Sequence, residues 1–143
     1  MNNQIHSQNY MDIRTKEDVL QAMELTSQLA ESIEYLPNDQ LLLSLVTEES
    51  LVNALEYCTK LGEIIIRIHW RISRNCFEMS VKQKGTVFNL EKKDEMNYGP
   101  RGRGIQLILN IMDAVEIKVE DEESIVLYMR KSRPHCELDC GLT

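Results

Sequence analysis

The stretch Leu41–Tyr57, LLLSLVTEESLVNALEY, decides how the rest of the chain is read. Taken as a helix at about 3.6 residues per turn, it places Leu42, Leu45 and Val46 on one face. Glu49 and Asn53 project from the middle of that same face, one turn apart. A carboxylate and an amide in a core-facing stripe are costly to bury unless something satisfies them. A ligand, a metal ion or a reaction would do so. A small rotation of the helix, turning both groups to solvent or onto a neighbouring loop, would do so too. The helix alone does not choose.

Working outward, residues 1–10 read as a polar, loose N-terminus, and Met11 to Arg14 as a short edge strand. A helical pattern follows from Thr15, the candidate cap, with Glu17 and Asp18 suited to the positive helix start. Val19, Ala22, Met23, Thr26, Leu29, Ala30 and Ile33 recur on one face. Pro37 ends this helix, Asn38 or Asp39 can cap the next, and Gly62 stops that one after about Lys60. Glu63 to Ile72 and Cys76 to Val81 are rich in strand-forming residues and joined by a turn at Ser73-Arg74-Asn75. His69 falls opposite Ile64, Ile66 and Ile68, which reads as a solvent-side strand residue. Lys82 to Pro100 is polar and aperiodic, a long loop of the kind that forms lids and binding loops. Ala114 to Val119 and Ser124 to Met129 are two further strands around the acidic turn Glu120 to Glu123, with a loose tail from Arg130 onward. Antiparallel strands with segregated helices predict an α+β two-layer sandwich, its sheet mostly antiparallel and covered by helices on one face.

Between the long loop and the last strands stands Gly99-Pro-Arg-Gly-Arg-Gly104, followed by IQLILNIMD. Ile105, Ile108, Leu109 and Met112 keep a helical face. Glycines opening a helix leave its first N–H groups accessible, and the helix dipole adds positive potential there. Arg101 and Arg103 add two charges. This is a composition suited to phosphate, although glycine-rich text alone is also that of a plain surface loop. It is neither a Walker loop nor the dinucleotide GxGxxG pattern.

Composition bounds the rest. The 143 residues carry a net charge of −7, 43% hydrophobic and 27% charged residues, consistent with one soluble domain. The negative balance argues against nucleic acid or an anionic membrane as partner. No apolar run reaches the roughly 18 residues of a membrane span, and no signal-peptide pattern opens the chain. A cytoplasmic location is therefore expected. Cys58, Cys76, Cys136 and Cys140 lack pairing spacing, and His135 with the last two makes only a weak metal pattern. Reduced thiols are the expectation.

Glu49-x3-Asn53-Ala54 on a helix, a strand followed by Gly85, and Gly102-x-Gly104 opening a helix that ends in Met112-Asp113 occur here in one order and spacing. Together they resemble the GHKL (histidine-kinase-like) ATPase superfamily over about residues 12–131, and within it the small bacterial anti-sigma factors that are serine protein kinases. The segment ILNIMDAVEI and the later SIVLYMRK resemble the C-terminal third of those proteins. The resemblance implies a Bergerat-type fold over residues 11–131 and a flexible tail over 132–143. It also implies ATP and Mg²⁺ as cofactors, with Asn53 as the metal ligand and Glu49 as the general base toward a substrate serine. Gly102 and Gly104 match the lid glycines at the phosphates, where Arg101 and Arg103 add charge, and Gly85 matches the glycine that ends the adenine-side strand. Implied partners are a sigma factor, an anti-sigma-factor antagonist and a second copy of the chain. Glu48 points about 100° away from Glu49 and reads as surface. One position departs from the family. Its strand ordinarily ends Asp-x-Gly, the carboxylate accepting from the adenine amino group, and here the text is Gln83-Lys84-Gly85. A neutral amide forgoes charge-assisted strength, which favours a second expectation, a non-catalytic binding module.

Overall fold

The computed structural model describes residues 7–61, 65–84, 102–121 and 124–133. Their elements run β1 (Ser7–Ile13), α1 (Lys16–Ser32), α2 (Pro37–Leu61), β2 (Ile65–Ile72), β3 (Cys76–Lys84), α3 (Gly102–Ile111), β4 (Ala114–Asp121) and β5 (Ser124–Ser132). The strands form one sheet in the order β1-β2-β3-β5-β4, and every pairing in it is antiparallel. The helices lie against one face. This is the α+β sandwich expected from the sequence.

Alternation along the strands fixes which face is covered. Ile66, Ile68, Trp70 and Ile72 of β2 and Phe77, Met79 and Val81 of β3 are buried, joined by Ile13 and Met129 from the flanking strands. Each such side chain withdraws about 1.5–3 kcal/mol of apolar surface from water. Helix α1 answers with Val19, Ala22, Thr26 and Ala30. Its start is a capping box, in which the Thr15 hydroxyl accepts from Asp18 N–H and the Asp18 carboxylate accepts from Thr15 N–H. Its end is closed by bonds from Glu34 N–H to Glu31 O and from Tyr35 N–H to Ala30 O. Glu34 sits there at φ 66, a left-handed cap made without glycine.

Four features differ from the sequence reading. β1 begins at Ser7, so residues 7–10 pair with β2 rather than lying loose. α2 starts at Pro37, which puts Asn38 and Asp39 inside its first turn rather than at the cap. β3 continues to Lys84 and β5 to Ser132, beyond the expected ends at Val81 and Met129. Their extra residues alternate between the covered and the open face, so polar text there belongs to strand. Finally, Cys76 is disulfide-bonded, against the expectation of reduced thiols.

The exit of β5 is tied back to the helices. Tyr35 Oη donates to Lys131 O at 2.9 Å, and Arg133 donates through its backbone N–H to Asn75 O at 2.9 Å. The Arg133 guanidinium donates to Arg74 O and to Ile33 O and lies 5.3 Å from the Tyr35 ring centroid. Lys131 Nζ reaches Ile111 O at 3.2 Å, placing a cation at the negative end of α3.

Candidate functional site

Helix α2 is the longest element, and its core side is unusually polar. Leu43, Val46, Leu51 and Ala54 are buried, but so are Thr47 and Ser50 between them. Both hydroxyls bond back along the helix, Thr47 to Leu43 O at 2.9 Å and Ser50 to Thr47 O at 3.1 Å. Thr47 Oγ1 also lies 2.8 Å from Thr26 Oγ1 of α1, which accepts from Trp70 Nε1 of β2 at 2.9 Å. Proton counting orients the chain. The indole donates to Thr26, Thr26 to Thr47, and Thr47 to Leu43 O, so every buried donor is used once. Three elements are thereby locked together two residues before Glu49.

With Thr47 and Ser50 facing the sheet, the stripe is centred away from Leu42 and Leu45, which are only half-buried. Glu49 and Asn53 do not project from its centre, as the hydrophobic pattern suggested. They stand half-buried on its margin and face α3.

The contact they make there is tight. Gly104, in the first turn of α3, is buried. A Cβ built on it would overlap Glu49 Oε1, lie 3.2 Å from Glu49 Cδ and lie 3.5 Å from Asn53 Nδ2. Only glycine admits the two side chains so close to this backbone. The first turn of a helix has N–H groups without intrahelical acceptors and carries the positive end of the dipole. A carboxylate and an amide therefore stand beside a positive helix start: side-chain oxygens of these types suit a metal ion, and free helix N–H groups suit a phosphate.

Gln83 is half-buried near the end of β3, opposite Ile66 on one side and Ile125 on the other. Its side chain is thus on the helix-covered face, the same side as Glu49 and Asn53. Gly102 and Arg103 open α3 through their backbone. Gly85 and Arg101 lie outside the described residues. Glu48 is half-buried on another side of α2. His69 lies on the open face of the sheet, paired with Tyr10 and Ser80, away from this cluster. The supporting relay through Thr26, Thr47 and Trp70 was not singled out by sequence reasoning. Its only textual signal is threonine within otherwise apolar helix faces.

A family model described as the histidine kinase-like ATPase domain matches residues 14–131. The chain belongs to that family. Membership in this ATPase family implies nucleotide binding. No curated protein matches the chain significantly. Among solved structures, the ATPase-family fold is shared with a chain of the SiaB–SiaC complex from Pseudomonas aeruginosa. The TM-score is 0.56 at 13% identity, covering 87% of this chain and 89% of that one. No described helix of this ATPase-family chain is long and apolar enough to cross a membrane.

Proposed function

We propose that the protein is an anti-sigma regulatory factor with ATP-dependent serine/threonine protein kinase activity, acting on an anti-sigma-factor antagonist. The observation that carries this reading is the joint placement of Glu49 and Asn53 against Gly104 at the opening of α3. The residues fit ATP and Mg²⁺. The bare Cα of Gly104 lets Glu49 and Asn53 stand against the helix start, and Asn53 offers a neutral oxygen to a hard cation. When bound, ATP with Mg²⁺ supplies the phosphoryl group and neutralises its charge. Backbone N–H groups at Gly102 to Gly104 hold phosphate oxygens, with Arg101 and Arg103 adding charge. Gln83, with Gly85 beyond it, meets the adenine through its amide oxygen. Glu49 orients the substrate serine and accepts its proton. The transferred phosphate adds nearly two negative charges to the antagonist, enough to change which protein it holds. The solved relative assembles with a partner protein, which supports a partner-binding role for this fold. A sigma factor and a second copy of the chain complete the proposed assembly.

A second reading is favoured by Gln83, where the family ordinarily has aspartate. It is a non-catalytic module that keeps the fold and sequesters a regulatory protein. Calorimetric titration with ATP, with and without Mg²⁺, separates the two. The kinase reading expects Mg²⁺-dependent binding that Asn53→Ala abolishes, and Glu49→Gln retaining ATP but transferring no phosphate. Absence of binding at millimolar ATP in the unaltered chain selects the module.

A further inference from the structure

The sheet face turned away from the helices carries a cavity of about 320 Å³ whose walls include Asp12, Arg14, Ile65, Arg67, Lys82 and Lys84. Four cations and one carboxylate on one small concavity run against the net charge of −7 on the chain. The pairing register explains how they converge. Asp12, Arg67 and Lys82 form one row across β1, β2 and β3. Ile65 and Lys84 form the next row, with Arg14 following the last residue of β1.

The cations are not equivalent. Arg67 Nε is 2.8 Å from Asp12 Oδ1, and its guanidinium lies 4.4 Å from the Tyr10 ring centroid. Its hydrogen bond holds the Asp12 carboxyl below the ordinary carboxylate range, so that acid is charged but already neutralised. Lys82 Nζ is 2.7 Å from Glu120 Oε1. The Arg14 and Lys84 side chains make no ion pair within 4.0 Å among the described residues, although the Arg14 charge also helps hold Asp12 down and its backbone N–H donates to Asp18 Oδ2 at 2.8 Å. They flank Ile65, an isoleucine left 51% exposed. Across two strand spacings of about 4.8 Å each, two long cationic side chains can converge on one anion.

We propose that this cavity is a binding site for a small phosphorylated ligand, its oxyanion held between Arg14 and Lys84 and its apolar part resting on Ile65. The volume lies within the roughly 300–1,000 Å³ range of small-molecule sites. A guanidinium matches a phosphate with two parallel N–H bonds, and an ammonium adds a compact second charge. The site is on the other side of the sheet from Glu49, Asn53 and Gly104. Its occupant does not compete with a nucleotide there, and the inference does not rest on the kinase reading.

The test is calorimetric titration of the whole chain with pyrophosphate in the absence of Mg²⁺. It compares the unaltered protein, Asn53→Ala, and the double variant Arg14→Gln with Lys84→Gln, with circular dichroism confirming the fold of each. Saturable binding equal in the unaltered chain and Asn53→Ala, and at least tenfold weaker in the double variant, is expected. Pyrophosphate held only at the nucleotide site would survive the double substitution and overturn the proposal. Absence of binding at millimolar pyrophosphate would also overturn it. So would equally tight binding of citrate, which would reduce the site to a general positive field.

Discussion

Glu49 and Gly104 are in a contact that no other residue at position 104 could make. A methyl group on Gly104 would overlap the Glu49 carboxylate oxygen, with Asn53 Nδ2 only 3.5 Å from the same point. The glycine is thereby a statement about α2 as much as about α3.

Gly104→Ala is expected to cost about 1 kcal/mol or less, because the atom it strikes is the far end of the flexible, half-buried Glu49 side chain, and to remove nucleotide binding. The partner in the clash is identified by a double-mutant cycle. In a Glu49→Ala background the same substitution should lose most of its penalty, because the oxygen it strikes is gone. Urea denaturation of the four proteins measures this. Equal penalties in both backgrounds would place the clash elsewhere.

Gln83 stands on the helix-covered face of β3, and its amide carbonyl is a neutral acceptor. Gln83→Asp should tighten ATP binding roughly tenfold, the worth of replacing a neutral by a charge-assisted hydrogen bond, and leave GTP unchanged. Competition titration with the two nucleotides reads the difference. An equal shift for both would mean that this side chain does not read adenine.

The relay from Trp70 through Thr26 to Thr47 makes a prediction of its own. Thr26→Val leaves the buried indole N–H unpaired and should destabilise the fold by about 1–3 kcal/mol, while Thr26→Ser keeps the hydroxyl and should cost less. Trp70 is the single tryptophan of the chain, so its fluorescence reports directly on the loss. A valine variant as stable as the serine one would remove the relay from the account.

Tyr128 supplies a pH test. Burial, followed by the nearby Glu78 charge, pushes its hydroxyl above the ordinary tyrosine value, with Arg130 opposing. The folded chain therefore favours the neutral phenol. Its contribution is fully present below about pH 10, the unfolded value, and is lost as pH climbs through the raised folded value. Tyr128→Phe should flatten the fall in stability over that alkaline window, measured by urea midpoints on either side of it. Parallel falls in both proteins would exclude Tyr128 as the titrating group.

The strand pairs, the amphipathic α1 and the glycine opening of α3 were legible because each is a local periodic pattern. What escaped has one physical origin, polar residues doing apolar work. Thr47 and Ser50 bury their hydroxyls on backbone carbonyls, so the true stripe of α2 contains residues that a hydrophobic count discards. The centre of the face was consequently read at Leu42 and Leu45. Lys82 and Lys84 alternate with Gln83 at the end of β3, and on a sheet open to water such a stretch looks like loop. The candidate site was legible as a pair, Glu49 and Asn53, and as a separate glycine motif. That the two meet at Gly104 is a consequence of how α2 and α3 pack, which spacing does not encode.

The strand order has a consequence for how the chain tolerates change. β3 and β5 are neighbours, with Lys84 opposite Ser124, yet residues 85–101, all of α3 and all of β4 intervene between them. The central ladder is thus closed by a large covalent loop. Loop-closure entropy grows only logarithmically, by about 0.6 kcal/mol for each doubling of length. Extra residues placed between Lys84 and Gly102 would therefore tax stability very little while slowing the search for the β3–β5 register. Loop-closure entropy thus constrains the length of the chain between β3 and α3 only weakly.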